Sequence, residues 1–143
     1  MEVYKQAHIH RAIGSVIYDA LILLGLLMIA GFIAVGLHFW VTGSEVIPHN
    51  LIFQLYLLVI IIGYFLYFWR KSGQTVGMKA WRIKLVNLKS GAPTSKQMLI
   101  RLLIALPAYT LLCVGVFWQY WSKDGLTWQD KASHTKLIHI PKK

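Results

Sequence analysis

Of 143 residues, 57% are apolar and 14% charged, and the mean hydropathy is +0.55. A soluble globular domain carries about 25% charged residues, so the composition excludes an ordinary water-soluble domain. Fifteen Lys and Arg against five Asp and Glu give a net charge of +10, and whether that surplus seeks nucleic acid depends on where it lies.

It lies outside three neutral runs. No charged residue follows Asp19 until Glu45, a run of 25; none lies between Glu45 and Arg70, a run of 24, or between Arg101 and Lys123, a run of 21. Crossing a hydrocarbon layer roughly 30 Å thick takes about 20 mostly apolar residues. Burying three such helices on every side is beyond a chain of 143 residues. The sequence therefore reads as a mainly α-helical integral membrane protein, one domain over residues 1–143, whose first partner is the lipid bilayer.

The apolar stretch from Ala12 to Val41 is longer than a signal-peptide core of about 7–15 residues, and no small-x-small cleavage site follows it, so a retained span over about 12–40 is expected. Within it Arg11, Ser15 and Asp19 recur at i, i+4 and i+8, covering about 80° of arc and forming one polar stripe. Asp19 sits about 12 Å along the axis from Arg11, a depth at which a charge costs about 2.5–3.5 kcal/mol and needs a partner. Ala30 and Ala34 make a small-x-x-x-small pair suited to close packing. A second span is expected over about 51–69, with Gln54, Tyr56, Tyr64 and Tyr67 as polar tips that bond across helices. Trp40 and Trp69 close the two spans where aromatic belts are expected.

Eight basic residues fall between Arg70 and Arg101, whereas the connection from Thr42 to Asn50 has only Glu45. By the positive-inside rule that first connection is external; the second and the N-terminus, with Lys5 and Arg11, are cytoplasmic. The charge surplus is a topology signal, and no nucleic acid is expected as a partner. Gly73 to Lys79 resembles a phosphate loop only superficially, lacking the Walker spacing and its following Ser or Thr, and reads as a turn into a strand. Trp81 to Lys89 alternates apolar and basic residues as a strand does, Ser90 to Pro93 is a turn, and Thr135 to Ile140 is strand-like again. Two lone strands leave ladder groups unpaired, so segments 81–89 and 135–140 are expected to pair as a small cytoplasmic β element.

That pairing bears on the third apolar segment, about 98–121, which contains Pro107. If it crosses, the basic residues divide ten inside to five outside; if it turns back, fifteen to none. Pairing of the strands needs the return, so a Pro-broken re-entrant or interfacial segment is preferred to a third span, and Lys143 then lies on the cytoplasmic side. Tyr109, Thr110 and Gln119 are its polar tips. Cys113, the lone cysteine, lies in this run, forms no internal disulfide and reads as a small hydrophobe.

Arg11 with Asp19 in R-A-I-G-S-V-I-Y-D, G-Q-T-V-G-M-K, W-R-I-K-L-V, Gly91-Ala92-Pro93 leading to Arg101, and Asp130 in W-Q-D-K-A-S-H-T form an ordered set. It resembles the RDD family of small prokaryotic membrane proteins, named for one arginine and two aspartates. The resemblance spans nearly the whole chain. It implies that Arg11, Asp19 and Asp130 are the named positions, and that Gly73, Thr75, Gly77 and Lys79 match a connecting motif loosely, Met78 intervening. Gln129 stands where a His is usual, and Ser133-His134 replace Ala-Gly. It also implies the inner membrane of a prokaryotic cell and the transport of some ligand.

Arg11 is two turns from Asp19, too far to bond it. Arg101 is expected to pair with Asp19, and Arg11 with Asp130. An Asp held in a permanent ion pair is a poor proton carrier, because the pair favours the charged form. Asp19 thus reads either as a packing residue or as the core of an ion or proton path. His8, His10, His134 and His139 lack the spacing of a metal site, no cofactor is called for, and no nucleophile with a base appears, so an enzyme is not expected. Two or three entering segments do not enclose a path, so a homo-oligomer or a membrane partner protein is expected. The leading expectation is transport of a small ion or solute, coupled to a cation or proton, with Asp19 at its core. The alternative is an accessory or scaffold protein docking a partner or anionic lipid through its basic cytoplasmic face.

Overall fold

The computed structural model describes residues 6–45, 50–89, 91–110 and 114–141. Lys5, Ser90, Cys113, Lys142 and Lys143 lie outside the described residues, as do the side chains of Tyr109 and Thr110. In chain order the elements are α1 (Ile9–Thr42), α2 (Leu51–Ser72), α3 (Val76–Ala80), β1 (Ile83–Asn87), α4 (Ser95–Thr110), α5 (Val114–Trp121), α6 (Trp128–Ser133) and β2 (Thr135–His139).

α1 and α2 have 34 and 22 residues, which at 1.5 Å per residue makes them about 51 and 33 Å long. Both outrun the expected spans, because capping residues rather than the ends of the apolar runs stop them. Gly43, at φ 67°, closes α1 with its N–H on the Phe39 carbonyl at 2.8 Å. Asn50 opens α2, its Oδ1 accepting the Ile52 N–H at 2.9 Å. Gly73, at φ 69°, closes α2 in the left-handed conformation that glycine adopts without steric cost.

Both helices are long and apolar enough to cross a membrane. Phe32, Trp40 and Ile52 are 82%, 83% and 77% exposed, and a helix apolar on every side fits lipid rather than water. Tyr56 and Tyr64 do bond across to α1, to the Ala30 carbonyl and to Asp19. Trp69 corrects the aromatic-belt reading: it is 4% exposed and belongs to the core.

That core lies at the opposite end of the helix pair from the α1–α2 connection. Ala7, Ala12, Trp69, Met78, Ile83, Leu85, Met98 and Leu137 form it, with Phe65, Leu66 and Leu102 packed against them. β1 and β2 pair antiparallel with Leu85 opposite Leu137 and Ile83 opposite His139. Ile83 and Leu85 point inward while Lys84 between them is exposed, the period-two alternation of a half-buried strand. Burying each of those two side chains contributes about 1.5–3 kcal/mol. Trp81 and Arg82 precede the strand rather than joining it, Trp81 ending α3 and Arg82 standing at φ 54°. Gln6 bridges Ile138, and the Ala7 N–H reaches the Leu137 carbonyl at 2.9 Å, so Gln6 and Ala7 lie along the last strand.

The third apolar segment is two helices. α4 does not break at Pro107; it continues to Thr110. α5 then brings the chain back, for the Gln6 side-chain amide donates to the Gly125 carbonyl and Arg101 near the start of α4 meets Asp130 on α6. The segment begins and finishes at the sheet end. As a result all twelve described Lys and Arg gather there, and the far connection carries Glu45.

Candidate functional site

Asp19 is 2% exposed, on the face of α1 that also buries Ala12, Ser15 and Leu23. Its Oδ1 accepts the Tyr64 hydroxyl at 2.8 Å and the Gly77 backbone N–H at 2.9 Å. Its Oδ2 accepts the Thr75 hydroxyl. Thr75 in turn caps α3, its Oγ1 accepting the Met78 N–H at 3.2 Å. A buried carboxylate is tolerated where donors of this kind replace its water. The segment from Gly73 to Lys79 is therefore not a plain turn but the receptor for Asp19. The Gly77 amide that a phosphate loop would offer to a ligand is already taken by that carboxylate. Lys79 points to solvent.

Gly77 makes this approach feasible: a Cβ there would stand 2.2 Å from the Ser15 carbonyl oxygen and 2.9 Å from Asp19 Cγ. Ser15 turns its hydroxyl to the Ala12 carbonyl at 2.8 Å rather than to Asp19. Tyr64→Phe removes one donor while keeping the edge contact to Phe65 at 5.4 Å. It is expected to cost about 1.5–3 kcal/mol, read as a lowered thermal unfolding midpoint in detergent; an unchanged midpoint would show the bond contributes nothing.

The expected pairing of the charges is overturned. Arg101 Nη1 donates to Asp130 Oδ1 at 2.6 Å and to Thr135 Oγ1 at 3.0 Å, and both charged residues are buried. Asp130 also accepts the Thr127 N–H at 3.1 Å while Thr127 accepts the Asp130 N–H, a capping box that opens α6. Arg11 pairs with neither aspartate; its Nη1 donates to the Trp81 carbonyl at 3.2 Å. The three signature residues thus serve three junctions: Asp19 ties α1 to α2 and α3, Asp130 ties α6 to α4, and Arg11 ties α1 to the entry of β1. His134, where a Gly is usual, ends α6 at φ 53°, and its Nδ1 lies 2.8 Å from the Lys131 carbonyl.

Partial burial first, then the neighbouring charges of Arg11 and Arg82 with a smaller effect from His8, hold the His139 imidazole below its ordinary value. Among the described residues no three His, Cys, Asp or Glu gather as metal ligands.

A cavity of about 300 Å³ lies beside Asp19, walled by α1, α2 and α4 and floored by Met78, Gln129 and Leu137. Arg101 also borders it. Its walls are almost wholly apolar, from Leu23, Ile61, Phe65 and Leu102. Trp69 and Gln129 line it too, and Trp69 Nε1 and Gln129 Oε1 are buried without a hydrogen-bond partner among the described residues. Sequence reasoning missed both. Trp69 reads as an interfacial aromatic at the end of a span, and Gln129 stands out only against the family's usual His.

The fold thus comprises two apolar helices long enough to cross a membrane and a small two-stranded sheet at one end of them, with buried charged residues at the junctions. The RDD family model matches residues 7–134, and the chain belongs to the RDD family. Neither the curated proteins nor the solved structures yield a match.

Proposed function

We propose that this RDD-family chain is a multi-pass protein of a prokaryotic inner membrane that handles a small solute in the cavity beside Asp19. α1 and α2 cross the bilayer. α4 and α5 enter and leave on the side of the sheet, and the gathered cations make that side, with the N-terminus, cytoplasmic. The observation that carries the reading is the cavity itself, set where the three entering helices meet and bordered by Asp19 and Arg101. Asp19 is not a free ion ligand, since both its oxygens already accept donors. A cation or proton reaching it has to displace Tyr64, Thr75 or Gly77, which makes the carboxylate a coupling point between solute and helix position. A second copy or a membrane partner completes a path that one chain is too small to enclose. No catalytic activity is assigned.

A second reading has its own observation. Ten of the twelve described Lys and Arg have no carboxylate partner, only Arg101 and Lys131 being in ion pairs. A basic face of this kind suits an accessory protein docked on anionic lipid or an acidic partner. Reconstitution into liposomes separates the two. Transport predicts proton or monovalent-cation flux in the wild type that disappears in Asp19→Asn. Absence of flux under every imposed gradient, with salt-sensitive binding to anionic vesicles retained, favours the accessory role.

A further inference from the structure

We propose that the cavity holds the hydrocarbon chain of a membrane lipid, drawn from the leaflet on the side of the sheet. This names the solute of the reading above and rests on that reading, in which α1 and α2 cross the bilayer. The space offers a guest almost nothing but hydrocarbon, from Val16, Leu23, Ile61, Phe65 and Leu102. Its polar neighbours are already engaged. Asp19 accepts three donors, Arg101 is paired with Asp130 at 2.6 Å, and the Ser15 hydroxyl is turned to the Ala12 carbonyl. Trp69 Nε1 and Gln129 Oε1 are fully enclosed and do not open into the space. An ion or polar solute there would give up its water with little in return. An apolar guest gives up nothing of the kind, and it restores the contacts that the walls of a void forfeit.

Size and depth fit a lipid chain. A cavity of about 150 Å³ lined by Leu, Ile and Phe stays dry and takes up benzene, so one of about 300 Å³ has room for about twelve carbons. Along α1 the space runs from Ala12 to Leu23, about 16 Å at 1.5 Å per residue. That is about half of a hydrocarbon layer roughly 30 Å thick, the depth of one leaflet. Ala12 belongs to the core at the sheet end, so the space starts there and reaches toward the bilayer centre. α1 and α4 scarcely pack on one another. Ala20 on α1 lines the space and is also exposed, and half-buried Ala105 lines it from α4. The space therefore opens between two small side chains onto the outer surface, where Leu24 and Leu103 are exposed. A chain enters sideways there and leaves its head group at the sheet end.

Photolabelling tests this directly. The full chain is placed in nanodiscs of phosphatidylcholine carrying a diazirine at mid-chain, irradiated, digested and mapped by mass spectrometry. Adducts are expected on Leu23, Ile61 and Phe65, which line the space, as well as on Leu21, Ile29 and Phe32, which face outward. Ala105→Phe and Ala20→Phe each put a ring into the space and should cut the inner adducts at least tenfold. The outer adducts and the unfolding midpoint should stay as in the wild type, which separates a blocked cavity from a lost fold. Outer adducts without inner ones in the wild type, or inner adducts that survive both substitutions, overturn the proposal. Inner labelling by a free diazirine-bearing alkane, with none from the lipid, also overturns it and assigns the space to a free lipophile. Cation flux without inner adducts would sink this inference alone, whereas inner adducts without any flux would sink ion transport and keep the site.

Discussion

Arg101→Met should lose about 3–5 kcal/mol of stability, because it leaves Asp130 as an uncompensated buried charge. Asp130→Leu should lose as much, with about 1 kcal/mol more for the capping box at the start of α6. The double variant is the informative one. With both charges gone the penalty of the orphaned partner disappears, so Arg101→Met with Asp130→Leu should recover most of the loss, short of the cap and of the Arg101 bond to Thr135. Chemical unfolding in detergent, followed by circular dichroism, reads all three. A double variant no better than the worse single would mean that the two residues act through other contacts. Exchanging Asp19 and Arg101 should give no rescue, since each has its own partners and neither is the other's.

Gly77→Ala should be the most disruptive glycine-to-alanine change among the described glycines. The added carbon meets the Ser15 carbonyl oxygen at 2.2 Å, and that oxygen belongs to helix backbone and cannot turn aside. Overpacking costs about 1–3 kcal/mol or more. Here the displaced loop also takes the Gly77 N–H away from Asp19, a charge-assisted bond worth about 1.5–3 kcal/mol. The expected result is a chain that fails to stay monodisperse on gel filtration, or is cut by protease between Gly73 and Ala80 when wild type is not. Gly25→Ala is the control. Nothing lies within 4 Å of a Cβ there, so it should be neutral or gain up to about 1 kcal/mol from helix propensity. If both variants behave alike, the fit of Gly77 against α1 is not what holds the loop.

The two long helices were legible because apolar runs of more than about 20 residues are far too long for a strand and fit a helix. The strand pair was legible from alternation, since Ile83, Leu85 and Leu137 fall on one face in any register that buries them. The charged residues were legible as a set but not as pairs. Helical arithmetic ranks distances along one axis, and it correctly kept Arg11 from Asp19. Which partner Arg101 finds depends on where α6 packs, and a helix of six residues has almost no periodicity to announce its position. The receptor for Asp19 was hidden for a related reason. Thr75 and Gly77 read as turn residues because caps and turns use the same amino acids, and nothing local says that a cap's hydroxyl also serves a carboxylate 56 positions earlier. Trp69 misled because a tryptophan at the end of a span suits the interface and the core equally well.

Gln6 and Ala7 lie along the last strand, Gln6 bridging Ile138 and its side chain reaching Gly125. A ribosome makes residues from first to last, at about 5–20 each second. Gln6 and Ala7 therefore emerge early and wait for nearly the whole chain before their partners exist, and Arg101 emerges 29 residues ahead of Asp130. The sheet end is the last part to close, and until it does the nascent chain carries an unpaired arginine and an open strand edge. Stalled or shortened products should then be the form that quality-control proteases clear, and the time to protease resistance should follow completion of β2 rather than formation of α1 and α2.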